Sequence, residues 1–164
     1  MTVGRISDFL HAAASGGSAV GLTTEPVSTF GTGSATRRVD ASSMRTVSGI
    51  FDELARAWRF PDHFGRNKDA LDDCMRDLPT RLRTPEGGAA TTCLTVVTHA
   101  EQLLADEPDE LDWFAESIDF WSDAHRAQGR GFAFLLIAAD DGAVNLHGRW
   151  AATDSPISDV DGKG

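Results

Sequence analysis

The sequence predicts an α/β domain built on a small, mostly parallel sheet, and three observations carry that prediction. Two segments, residues 92–98 (TCLTVVT) and 132–139 (FAFLLIAA), are apolar without regular polar alternation. That is the pattern of strands covered on both faces. Apolar residues recurring at helical spacing separate the strand candidates. The 164 residues, 41% apolar and 24% charged, suffice for one domain that buries a core without help from disulfides or metal.

Taken in order, residues 1–17 read as a short helix, with Ser7 as N-cap before Phe9, Leu10, Ala13 and Ala14. Ala19-Val20-Gly21-Leu22 is a short strand candidate, residues 27–35 read as loop from their Gly, Ser and Thr, and 35–44 as strand. Ser48 is placed to cap a helix whose face is Ile50, Phe51, Leu54, Ala57 and Trp58. Pro61 closes that helix, because it disfavours the α region for Phe60. A loop turns at Gly65, and Asn67 caps a second helix that buries Ala70, Leu71, Cys74, Met75 and Leu78. Pro79 and the turn at 85–88 lead to the strand at 92–98. A long helix spans about 107–128, with Pro108 at its first turn, Leu111, Phe114, Ile118, Trp121 and Ala124 inside, and Gly129 at its C-terminal end. After the strand at 132–139, residues 140–164 carry Trp150 but no clear period, and read as a partly disordered polar tail.

Acids outnumber bases 25 to 15, for a net charge of −10. That balance argues against nucleic-acid binding, which normally needs a basic footprint. No apolar run approaches the ~18 residues of a membrane span, and the N-terminal segment lacks the apolar core of a secretory signal. Cys74 and Cys93 form no C-x-x-C and no Cys/His cluster. They read as reduced thiols of a cytoplasmic protein, with no cofactor and no metal.

Chemistry concentrates at residues 60–75. Asp69, Asp72 and Asp73 fall at i, i+3 and i+4, on the side of the helix opposite its apolar residues. Like charges at this spacing disfavour a helix by a few tenths of a kcal/mol. The patch is either a solvated face or a set of carboxylates for a basic partner. His63, in the loop just before, leaves a third reading open: a metal-binding or hydrolytic site made of His63, Asp69 and Asp73. No nucleophile elbow, H-E-x-x-H, G-x-G-x-x-G or phosphate-binding loop accompanies it. Residues 101–123 add nine acids and no Lys or Arg, and Asp123 is the one that the helix dipole explains least.

The stretch PDHFGRNKDALDDCM (61–75) resembles the central motif of the barstar family: Pro61, Gly65, Asn67, Asp69, Ala70, Leu71, Asp73 and Cys74 agree in register. The resemblance covers 35–139, with 1–34 as an N-terminal extension and 140–164 as the tail. It implies a three-stranded parallel sheet packed by helices, and an intracellular inhibitor of a secreted, basic ribonuclease or toxin nuclease domain. It implies no catalysis. In that reading the second helix and the loop before it, including His63, Phe64, Gly65 and Asn67, plug the nuclease active site. Asp73 matches the family's key carboxylate, Asp69 a second acid and Asp123 a peripheral one. Three positions depart from the pattern: Asp72 stands where the family prototype has Trp, Lys68 where an apolar residue is usual, and His63 where Tyr is common. A regulatory domain that has kept the fold and lost its nuclease remains a further alternative.

Overall fold

The computed structural model describes residues 2–25, 27, 33–78 and 90–161. Six strands form one parallel sheet, β1 (Thr2–Gly4), β2 (Val20–Thr23), β3 (Ser34–Asp40), β4 (Thr92–Thr98), β5 (Gly131–Ile137) and β6 (Ser158–Val160), in the order β1-β6-β2-β5-β4-β3. Among the described residues five α-helices connect them: α1 (Ile6–Ala14), α2 (Val47–Trp58), α3 (Lys68–Arg76), α4 (Leu111–Arg126) and α5 (Asp140–Ala151).

The expected α/β class and parallel sheet are present, but the sheet has six strands rather than three. β3, β4 and β5 are the three strands of the predicted core. The other three come from the two ends of the chain. Residues 140–160, expected as a tail, contain α5 and β6, and Leu146 and Trp150 are fully buried. The reason lies in brevity and composition. β1 and β6 have three residues each, too few to show a period, and Gly142 and Gly148 dilute the helical signal of α5. Ala143, Leu146 and Trp150 nonetheless stand at i, i+3 and i+7 and form its buried stripe.

The sheet sorts its side chains by parity. Cys93 and Val97 of β4, with Phe132, Phe134 and Leu136 of β5, face α2, α3, α4 and α5. Leu94 and Val96, with Ala133 and Leu135, face α1. This two-sided burial is why the strands read as unbroken apolar runs. A Cβ on Gly21 would lie 2.7 Å from Val160 Cγ2 and 3.0 Å from the Phe9 ring. Only glycine lets α1 approach β2 so closely.

Helix starts differ from expectation: α4 begins at Leu111 rather than about 107, after a separate 3-10 turn at Pro108–Glu110, and α1 and α2 are capped two residues earlier than expected. α2 is capped by Thr46, whose hydroxyl accepts from Gly49 N–H at 3.1 Å, and Ser48 lies inside the first turn, where its hydroxyl accepts from Arg66 at 2.8 Å. α1 starts after Arg5 rather than Ser7. Asn67 caps α3 as predicted, its Oδ1 accepting from Ala70 N–H at 2.8 Å. Gly129 ends the α4 segment with φ near +75°, a conformation that favours glycine. Most of the predicted loop at 27–35, along with Pro79 and the turn at 85–88, lies outside the described residues.

Candidate functional site

The predicted site is built on α3 and the segment that enters it. That segment is stiffened by aromatic packing. Phe64 stands edge-on to Phe60 at 5.0 Å and to Phe51 of α2 at 6.0 Å, and its N–H donates to the Pro61 carbonyl at 2.9 Å. Phe64 is therefore half-buried and serves as an anchor, leaving His63 and Gly65 exposed beside it. Arg66, at φ near +50°, ties the loop to α2 by donating to Asp52 and Ser48.

α3 is pinned to α4 by two side chains one helical turn apart. The buried Trp121 indole N–H donates to Asp72 Oδ1 at 2.8 Å, and the buried His125 Nε2–H donates to the Met75 carbonyl at 2.8 Å. His125 also stacks on Phe132, with ring centroids 4.8 Å apart. Burial holds its imidazole below the usual histidine range, and the Met75 carbonyl works in the opposite direction. The three acids of the predicted patch thus separate. Asp72 is half-buried and turned to α4, whereas Asp69, Asp73 and Asp77 are exposed.

Asp73 is 71% exposed and accepts from Arg76 at 2.9 Å. It shares a cleft of about 330 Å³ with Trp58, Arg59, His63, Cys74 and Asp77. The structure therefore brings His63 and Asp73 to one concavity, in which His63 has no hydrogen-bond partner among the described residues. Asp69 lies one turn back, in a shallow depression with Phe51, Arg66, Asn67 and Lys68. Lys68 is drawn off this face, donating to Glu110 at 2.7 Å and lying 4.5 Å from the Trp113 ring centre. Asp123 sits elsewhere. It pairs with Arg126 at 2.9 Å and lines a separate concavity with the turn after α1 and residues 151–158.

Cys74, expected on the buried side, is half-buried and opens onto the His63–Asp73 cleft. Burial, then the Asp73 charge, raises its thiol pKa. Cys93 is buried, and desolvation pushes its thiol up to about 11. Both cysteines are free. Among the described residues no group of three His, Cys, Asp or Glu side chains is arranged to hold a metal ion. No described helix is long and apolar enough to cross a membrane.

Trp121, His125, Arg76 and Phe120 were not among the predicted site residues. Trp121 could be read only as core. Its partnership with Asp72 joins two helices far apart in the chain and leaves no local signal.

The family model described as Barstar (barnase inhibitor) matches residues 34–137. The chain belongs to the barstar family. It is also similar to a protein of Bacillus subtilis (strain 168) named "Putative ribonuclease inhibitor YrdF", with 34% identity over 80 residues, 42% of this chain and 88% of that one. The barstar-family match runs from the start of β3 to the end of β5. The half-sheet formed by β1, β2 and β6, together with α1 and α5, lies outside it. The family segment contains α3, its entry loop and both of the α4 anchors.

Proposed function

We propose that this barstar-family chain is a proteinaceous ribonuclease inhibitor, acting in the cytoplasm as an immunity or antitoxin protein against a basic microbial nuclease. Asp69, Asp73 and His63, with Asn67 holding the helix start, enter the nuclease active site. The observation that carries the reading is the way α3 is fixed. Its start is capped by Asn67 and its flank is held by Trp121 and His125, while Asp69 and Asp73 stay exposed. A ribonuclease site is a cationic groove shaped for phosphates. Carboxylates held on a rigid helix meet it with little ordering cost, and opposite charge speeds encounter. The net charge of −10 supports the same partner.

The test is inhibition of RNA cleavage by a panel of purified basic microbial ribonucleases, at two salt concentrations. At least one enzyme is inhibited stoichiometrically, and less tightly at the higher salt. Asp73→Ala weakens that inhibition by about thirtyfold or more, close to 2 kcal/mol, because a cation buried in the complex loses its partner. Inhibition unaffected by Asp73→Ala and by Asp69→Ala would move the interface off α3. RNA hydrolysis by the purified protein, abolished by His63→Ala, would replace this reading with an enzymatic one.

A further inference from the structure

Among the described residues four cations lie around the exposed acids of α3, and they are treated differently. Arg66 is held by Asp52 and Ser48 of α2, and Lys68 by Glu110 ahead of α4. Both are thereby turned to partners outside the α3 face. Arg59 lines the cleft with Asp73 and has no carboxylate partner among the described residues. Arg76 alone of the four occupies a carboxylate of the face. Its Nη2 donates to Asp73 Oδ1 at 2.9 Å, its Nε donates to the Asp72 carbonyl at 3.4 Å, and its guanidinium lies 5.2 Å from the ring centre of Phe120 on α4. Phe120 is 48% exposed, the one exposed large aromatic among the described residues.

We propose that Arg76 is an affinity- and specificity-setting residue, an internal cation that occupies Asp73 in the free protein and must leave it when a cationic partner binds. This rests on the inhibitor reading above and deepens it. A guanidinium or ammonium from the partner competes for the same oxygen atoms, so each encounter includes the breaking of an internal pair. Phe120 is the support. It holds the Arg76 guanidinium by a cation–π contact, and offers it a resting place beside α4 once Asp73 is taken. The arrangement favours partners that bring a bidentate cation to Asp73 and disfavours weakly basic proteins, which cannot displace an already seated guanidinium. Asp69, which has no cation paired with it among the described residues, needs no such exchange.

The experiment compares wild type with Arg76→Gln, Arg59→Gln and Phe120→Leu. One readout is association and dissociation rates against the most strongly inhibited ribonuclease of the panel. The other is the side-chain Nε–Hε NMR signal of Arg76 in the free protein. In wild type that signal carries a ring-current shift that Phe120→Leu removes. Arg76→Gln tightens binding about two- to fivefold, the scale of one exposed ion pair. Arg59→Gln, which removes equal charge and empties no carboxylate, changes it less. Equal tightening by both variants would reduce the effect to net charge and overturn the proposal. Weaker binding by Arg76→Gln would overturn it too, by placing Arg76 against an acid of the partner. An Arg76 signal without the Phe120 shift would remove its structural basis, whatever the nuclease does. If no ribonuclease in the panel binds wild type, the proposal falls together with the inhibitor reading. If binding depends on Asp73 and is indifferent to Arg76, the inhibitor reading stands and this proposal alone fails.

Discussion

Replacing Asp72 by Ala leaves the Trp121 indole N–H buried without its acceptor, at a cost of about 1–3 kcal/mol. Replacing Asp73, one position on, removes an exposed pair with Arg76 and changes stability by less than about 0.5 kcal/mol. Urea denaturation of the two Ala variants should therefore separate neighbours that the sequence pattern places on one face. Equal loss in both would mean that the Trp121–Asp72 bond contributes nothing. His125 yields a prediction in pH. Burial holds its folded pKa down, while the unfolded chain takes up a proton near pH 6.5. Below that pH the unfolded state binds more protons, so the His125 contribution is complete above about pH 6.5 and is lost as pH falls. Arg130, facing the ring, adds to the depression, and Asp77 opposes it. His125→Gln can keep a donor for the Met75 carbonyl. Its stability should fall less steeply than that of wild type between about pH 6.5 and 5, and parallel curves would refute the assignment.

At the scale of elements, the readable parts were those whose signal is local. The Asn67 cap, the i, i+4 stripes of α2 and α3, and the unbroken apolar runs of β4 and β5 each lie within a dozen residues, and each was placed within a residue or two. The geometry of the candidate site was readable where one helix determines it, as for the exposure of Asp69 and Asp73. It was misread where a second element decides. Asp72 has the helical phase of a surface acid, and only the arrival of α4 draws it inward. β1 and β6 escaped for a related reason, since strands of three residues gain identity only from their neighbours in the sheet, whereas β2 was legible as the apolar run at 19–22. α5 supplies the sharpest test of the corrected picture. Trp150 is fully buried in the same core as Leu54 and Phe114, so Trp150→Ala should destabilise the protein by about 3–5 kcal/mol in thermal or urea unfolding. Loss of less than about 1 kcal/mol would return residues 140–151 to the status of a dispensable tail.

Across the whole molecule, one sheet is covered on one face by α2 to α5 and on the other by α1, and the proposed docking helix is carried on the four-helix side. The half-sheet beyond β5 is assembled from the two ends of the chain. β6 lies between β1 and β2, pairing Asp159 with both Thr2 and Leu22, so the first two strands touch β6 and not each other. This insertion sets a schedule for biosynthesis. The β3–β4–β5 unit and its helices are complete once Ile137 has left the ribosome. β1, although made before β6, pairs with it alone among the described strands, and so waits until Ser158–Val160 emerges about twenty residues after Ile137, an interval on the order of one to a few seconds. Through that interval the apolar side of α1, with Ile6, Phe9 and Leu10, has only part of its final cover. Residues 158–160 thus act as the closing piece of this sheet, and the segment of β1 and α1 stays open to proteases or chaperones until they arrive.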